Sequence, residues 1–305
     1  MNNTKIIRDL ITRDIDEPLI EDKLGKVYLD LLDKTNAEGV SRLYKSAYKR
    51  GDWFASNYEN PKNNVFNPNW LSQVSKYPDY LWIVFTDKKN VLGSSVLINK
   101  DDILYTDETQ VDPANYRRGI ATTYFNKILP IIKDNEITLS AYFVLTEVSS
   151  VLRKLLINKL GVVPMGIHPN ILVSPPTGIK VSEISAILHP YELKPDAKLI
   201  PEAVELYNIV KDQINLPEAD VVGSCNPKSY IPGDKYDEYV LSGSEPESQR
   251  ELYNKGFRPI AYNPVANEIT MAKYPIDGLD RINFIRDEGV EPNTKLLNYL
   301  YSMLK

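Results

Sequence analysis

The chain has 305 residues, 43% of them hydrophobic and 25% charged, with a formal net charge of -5 at pH 7. That acidic balance, with a pI near 5.3, argues against a general nucleic-acid binder, whose surface is basic. One cysteine, Cys225, excludes an intramolecular disulfide, and with only His168 and His189 beside it no usual zinc site is available, so no metal is expected. No apolar run approaches the roughly 18 residues of a membrane span, and the first residues lack a signal-peptide pattern, so a cytoplasmic protein without a membrane partner is expected. At roughly 150 residues per domain, two domains are expected.

Taken in order, Ile6 to Thr12 reads as a first strand, and Val27 to Leu32 as a second strand or a short helix. Thr35-Asn-Ala-Glu38 has the form of a capping box, and opens a helix with apolar Ala37, Val40, Leu43, Tyr44, Ala47 and Tyr48. An Asn/Pro-rich loop to Asn69 and a short helix over Trp70 to Val74 follow. Leu81 to Thr86 and Val91 to Ile98 flank Asp87-Lys-Lys-Asn90, a hairpin signal. Ile103 to Val111 reads as the next strand. From Ile120 the apolar spacing Ile120, Ala121, Tyr124, Phe125, Ile128, Leu129 predicts one buried helix face, which Pro130 should kink or end. Thr138 to Thr146 reads as a buried strand. Ser149 to Leu160 reads as a helix stopped by Gly161, followed by extended chain from Val162 and a strand over Val181 to Leu188. Pro190 to Pro195 is a linker.

Beyond the linker, Ala203, Leu206, Tyr207, Val210 and Ile214 mark an amphipathic helix. A polar loop from Gly223 to Tyr236, a strand over Glu268 to Tyr274 and a last helix with Leu296, Leu297, Leu300 and Leu304 complete the chain. Between them lies an echo. Val240 to Pro264, with Asn254-Lys255-Gly256-Phe257-x-Pro259, repeats Phe143 to Pro169, with Asn158-Lys159-x-Gly161-Val162-x-Pro164. Such an offset similarity predicts a duplicated strand–helix–strand.

Chemistry concentrates at Val111-Asp-Pro-Ala-Asn-Tyr-Arg-Arg-Gly-Ile-Ala-Thr-Thr123, a basic turn between a strand and a helix. The first turn of a helix carries amides without intrahelical partners and partial positive charge, so it suits a phosphate. Gly119 would let a ligand approach the backbone, and Arg117 and Arg118 could donate charge-assisted hydrogen bonds. The same residues also make an ordinary turn with two solvated arginines. The chain has no Gly-x-Ser-x-Gly elbow and no phosphate loop ending in Gly-Lys-Ser/Thr, and Cys225 has no histidine near it in sequence, so it reads as an incidental thiol.

The flanking order resembles the central motif of the GNAT superfamily of acyl-CoA-dependent N-acyltransferases, Val-x-Pro-x-x-(Arg/Gln)-x-x-Gly-x-(Gly/Ala). Val111, Pro113, Gly119 and Ala121 match it, while Tyr116 stands where the family has Arg or Gln, which leaves that role to Arg117 or Arg118. Leu156 to Val162 is similar to the family's Leu-Tyr-x-Lys-Leu-Gly-Phe ending. The resemblance implies an α/β (α+β) GNAT fold over 1–190: a mixed, mostly antiparallel twisted sheet flanked by helices. A smaller α/β domain, a partial GNAT-like half-repeat over 191–305, would follow and serve the acceptor side or a homodimer contact.

The resemblance further implies acetyl-CoA as acyl donor and a primary amine, on a small molecule or on a protein or peptide, as acceptor. Thr109, Gln110 and Val111 would hold the pantetheine arm, and Tyr116, Arg117, Arg118, Gly119, Ile120, Ala121 and Thr122 would surround the pyrophosphate. Glu108 or Asp107 would be the general base, with Glu108 preferred. At the family's tyrosine acid stands Ile157, which cannot donate a proton, leaving water, Tyr142 or Tyr116 for the thiolate. The rival implication is a catalytically silent acyl-CoA sensor or scaffold on the same fold.

Overall fold

The structure is a computed structural model and describes residues 3–47, 64–144, 154, 156–173, 180–189, 191–225, 238–273 and 291–304. The chain divides into two compact units, one of 1–142 with 173–179, the other of 143–172 with 180–305. The boundary expected at 190 therefore differs from the packing. Val163, Met165, Ile167, Ile184 and Ile187 share one apolar core with Leu206, Tyr207 and Leu252 of the later chain, and burial of apolar side chains, not the linker-like Pro190 to Pro195, decides which segments cluster.

In the first unit, α1 covers Asn3–Arg13, where a strand was expected. A short apolar run does not discriminate between the two states; Ile7 and Ile11, one helical turn apart, are both fully buried. The helix is tied down by Thr4, whose hydroxyl donates to the Pro78 carbonyl at 2.6 Å, and by Arg8, which donates to that of Tyr80 at 3.2 Å. The hairpin β1 (Pro18–Asp22) and β2 (Gly25–Leu31) follows, settling the strand-or-helix choice at Val27 as strand.

Helix α2 (Ala37–Ala47) begins where the capping box was read, with different chemistry. Asp33 Oδ1 accepts from the Thr35 and Asn36 amides and Asn36 Oδ1 accepts from the Asp33 amide. Glu38 instead pairs with Arg42 one turn on, at 3.0 Å. The short helix α3 is Pro68–Val74.

Strands β3 (Tyr80–Thr86), β4 (Val91–Lys100), β5 (Ile103–Val111) and β6 (Thr138–Val144) extend the sheet in the order β1-β2-β3-β4-β5-β6. Every neighbour is antiparallel until β5 and β6, which are parallel because helix α4 (Ile120–Asp134) crosses between them. The β3–β4 turn is held by Asp87 Oδ1, which accepts from the Lys89 and Asn90 amides at 2.8 and 2.6 Å.

Alternation along β3 sends Trp82 and Val84 into a core with Val40, Tyr44 and Leu71 of α2 and α3. Phe85, of opposite parity, meets Tyr124 of α4 at 5.1 Å between ring centroids. Helix α4 runs through Pro130 to Asp134, so of the two expectations, a kink or an end, the end does not occur. Pro130 and Asn126, whose carbonyl loses its partner, are both exposed, so water can satisfy the orphaned oxygen.

The second unit contains β7 (Val163–Val173), β8 (Lys180–Leu188), α5 (Val204–Ile214), β11 (Glu238–Ser242), α6 (Pro246–Asn254), β12 (Arg258–Asn263), β13 (Glu268–Ala272) and α7 (Glu291–Leu304). The short parallel pair β9 (Lys198–Leu199) and β10 (Asp220–Val221) stands apart. The strand order is β8-β7-β12-β13-β11.

Here the duplication acquires geometry. Gly161 and Gly256, aligned in sequence, both have positive φ, at 73° and 91°, the left-handed stop of a helix. The Val162 amide donates to the Leu156 carbonyl and the Phe257 amide to that of Leu252, each at 3.0 Å. These bonds join equivalent residues, because Leu160 is one extra residue in the first copy. The two copies meet antiparallel at Gly166 and Ala261. Helix Ser149 to Leu160 is described only at 154 and from 156; the rest of that expectation, like the expected loop at Tyr236, lies outside the described residues.

Candidate functional site

The turn between β5 and α4 is built from its strand upward. Opposite β4, the register of β5 shifts between Ser94↔Gln110 and Val96↔Asp107, so two residues, Glu108 and Thr109, oppose the one residue Ser95. That is a bulge. The Ser95 and Thr109 hydroxyls lie 2.8 Å apart across it. On the other side of β5, the parallel ladder with β6 runs from Ile103↔Thr138 to Thr106↔Ala141. Among the described residues it goes no further, although β5 continues to Val111. Thr109, Gln110 and Val111 sit on the stretch of β5 beyond Thr106; at this register Gln110 and Val111 would face positions 145 and 146, which lie outside the described residues.

The strand ends in a tight turn. The Asp112 amide donates to the Leu92 carbonyl at 2.8 Å, and Asp112 Oδ1 accepts from the Ala114 amide at 3.0 Å. A single 3-10 turn, Pro113–Asn115, leads to Tyr116. Arg117 (φ 66°) and Gly119 (φ 75°) both occupy the left-handed region, which glycine enters without strain and arginine does not. Gly119 caps α4 with no side-chain hydrogen bond, so the first amides of the helix have no side-chain acceptor from the cap. A Cβ on Gly119 would meet nothing nearer than the Thr123 hydroxyl at 4.0 Å. The space beside the turn is open, and its glycine is required by φ.

The expected phosphate residues divide by what they touch. Arg117 and Tyr116 are exposed, and Tyr116 receives a long hydrogen bond of 3.4 Å from Gln110 Nε2. Ile120 is buried against the core, so it offers its amide alone, while Ala121 and Thr122 are half-buried on the first turn of α4. Arg118 departs most from expectation. Its side chain is 8% exposed and forms a two-pronged ion pair with Asp22, at 3.0 and 3.1 Å. It also donates to Asn115 Oδ1 at 3.0 Å and to the Gly25 carbonyl at 3.2 Å. This arginine is committed inside the fold, and Arg117 is the cation facing solvent. The Arg118 hydrogen bond holds the Asp22 carboxyl below the usual carboxylate range against the smaller opposing effect of burial.

Asp22, Gly25 and Asn115 were not foreseen. Asp22 lies 96 residues from its partner, and no local pattern reports such a pairing.

For the catalytic expectations, the side chains of Glu108 and Asp107 lie outside the described residues. Tyr142, near the end of β6, is 52% exposed, as a proton donor to a ligand needs to be. Ile157 is buried at 8% and sits where the resemblance would put a phenol. Tyr124, one turn into α4, is sealed in the core, and burial pushes its phenol well above the ordinary range, so it cannot serve a ligand in its place.

A second polar cluster lies in the other unit. His168 Nδ1 is 3.2 Å from Glu238 and its Nε2 is 3.1 Å from the Ser185 hydroxyl. The order carboxylate–imidazole–hydroxyl is that of an activated nucleophile, but Ser185 is 3% exposed and closed to a substrate. Among the described residues no group of three or more His, Cys, Asp or Glu could hold a metal ion, and no helix is long and apolar enough to cross a membrane.

No protein-family description and no curated protein matches this chain. Solved structures do. A protein from Desulfovibrio desulfuricans assigned to the GNAT family of acetyltransferases is similar at 10% identity and a TM-score of 0.41, over 54% of this chain and 99% of that one. The ribosomal-protein-S18-alanine N-acetyltransferase of Escherichia coli is similar at 13% identity and a TM-score of 0.41, over 53% and 93%. Salmonella typhimurium yncA, solved with its cofactor acetyl-CoA, is similar at 14% identity and a TM-score of 0.42, over 54% and 95%. The likeness reaches GNAT-family acetyltransferases and covers about half of this chain, whose mixed α/β fold, a mostly antiparallel sheet with helices packed on it, stands on its own strand order and ladders.

Proposed function

We propose that this protein is an N-acyltransferase that moves the acetyl group of acetyl-CoA to a primary amine. One observation carries the reading: a strand bulged at Glu108 and Thr109 leads through one tight turn into a helix start with no side-chain cap. The uncapped amides of α4, with Arg117 beside them, suit a diphosphate. The backbone of Thr109 to Val111, beside the bulge, suits the amide-bearing pantetheine arm, which would add to the strand as a peptide would.

Acyl transfer then needs a polarised thioester carbonyl, a deprotonated amine and a proton for the departing thiolate. The bulge aims β5 backbone groups at the first task, Glu108 is assigned the second, and Tyr142 or water the third. The acceptor is an amine on a small molecule or on a protein or peptide terminus, and the protein works in the cytoplasm. Calorimetric titration with acetyl-CoA tests binding, and thiol release with a panel of amines tests turnover. Binding without release for any amine would favour the second reading, a silent acyl-CoA sensor, which Ile157 in the place of a phenol supports.

A further inference from the structure

We propose that Asp22 and Arg118 form a positioning clamp, in which Arg118 never contacts the bound diphosphate and instead holds the turn 117–119 in its anion-receiving shape from the β1–β2 hairpin. This rests on the reading of that turn as the acyl-CoA site.

Three features of the geometry support it. All three guanidinium nitrogens of Arg118 are engaged, Nε and Nη2 by Asp22, Nη2 again by the Gly25 carbonyl, and Nη1 by Asn115. A planar fork matched to a carboxylate in this way fixes orientation as well as distance. The arginine sits between two left-handed residues, Arg117 and Gly119. A non-glycine residue keeps that conformation only where its surroundings impose it, and Gly119 brings no side-chain cap to do so. The clamp also ties the turn to two separate places, Asn115, which closes the 3-10 turn before it, and Asp22 and Gly25 of the hairpin. A diphosphate that recruited Arg118 would have to break the two-pronged pair and leave the Asp22 carboxylate beside its own negative charge.

The experiment compares the full-length wild type with Asp22→Asn, Arg118→Gln and the double variant, with Asp22→Glu as a milder companion should Asp22→Asn not fold. Two readouts are taken: hydrogen exchange of amides 117–121 in the ligand-free protein, and acetyl-CoA affinity by calorimetry at several salt concentrations. A clamp predicts that exchange at the turn rises about tenfold in each single variant while the sheet is unaffected. It predicts that affinity falls by about tenfold in each, that the double variant is no worse than either single, and that the salt dependence keeps the wild-type slope.

An Asp22→Asn protein that binds as tightly as wild type, or tighter, overturns the proposal, because freeing an arginine that touched phosphate should help. A flattened salt dependence in Arg118→Gln overturns it as well. A lower melting temperature with unchanged affinity and unchanged exchange at 117–121 would reduce the pair to a structural role and also reject it. If the wild type does not bind acetyl-CoA, the acyltransferase reading falls by itself. The exchange data then decide the clamp alone, unchanged protection in Asp22→Asn rejecting it.

Discussion

Gly166 of β7 and Ala261 of β12 lie directly opposite each other where the two copies of the duplicated motif meet. They are also equivalent positions in the two copies, each two residues after a proline, Pro164 and Pro259. A residue facing its own counterpart is the mark of a two-fold relation, as in a symmetric dimer interface, here inside one chain. The contact is tight: a Cβ built on Gly166 would collide with Ala261 and with the Ile260 carbonyl. Gly166→Ala should therefore force the strands apart and destabilise the second unit by about 1–3 kcal/mol. Ala261→Gly in the same chain should return part of the loss. Thermal melts of the two single variants and the double check this, and a Gly166→Ala protein with unchanged melting temperature would falsify the close approach.

Gly119→Glu tests the phosphate turn. The side chain would enter open space but must adopt φ near 75° and brings a charge like that of the phosphates. Acetyl-CoA affinity should drop at least about tenfold, with the fold retained by circular dichroism. Gly119→Asn, which tolerates the left-handed region, should lose much less. Equal affinity in both variants and wild type would remove the turn from the site.

Proton transfer is tested at Glu108. Glu108→Gln should lower kcat by about a hundredfold or more while acetyl-CoA affinity holds, since a base acts on the amine and not on the nucleotide. An unaltered pH–rate profile would exclude it. Ile157→Tyr is the companion: the site is buried, so a phenol there should cost about 1–3 kcal/mol of stability. Higher turnover despite that loss would mean thiolate protonation limits the rate.

The pH dependence of the clamp has a definite sign. Asp22 is held below the usual carboxylate range by Arg118, so its stabilisation is fully present above the unfolded value of about 3.9. It is lost as pH falls through the lower folded value. The stability difference between wild type and Asp22→Asn should be constant from neutral pH down to about 5 and shrink below about 4. Denaturant melts across that range read it directly, and a gap that widens on acidification would contradict the assignment.

Stoichiometry follows from the duplication. The repeated piece holds a helix stop and strands but not the turn at Gly119, and no Arg-Gly turn opening a helix precedes β11 between Pro190 and Tyr239. Calorimetry should find one acetyl-CoA per chain, and two equivalent sites would refute the asymmetry.

What the sequence determined by itself was local. The strand, turn and helix around Gly119, the β3–β4 hairpin and the helix stop at Gly161 all depend on residues within a few positions of one another. Hydrophobic period and a left-handed glycine report such neighbours reliably. The short run Ile6 to Thr12 fits either state, and only the burial of Ile7 and Ile11 makes it a helix. Pro130 ends no helix where it and Asn126, whose carbonyl it orphans, are both exposed, a fact of placement and not of composition. The tertiary structure alone decided that Val163, Met165, Ile167, Ile184 and Ile187 pack into the C-terminal core, and that Arg118 belongs to Asp22 while Arg117 faces solvent. Two adjacent arginines are alike in a sequence; a carboxylate brought from the first hairpin distinguishes them, because an ion pair depends on distance in space, which spacing along the chain does not carry.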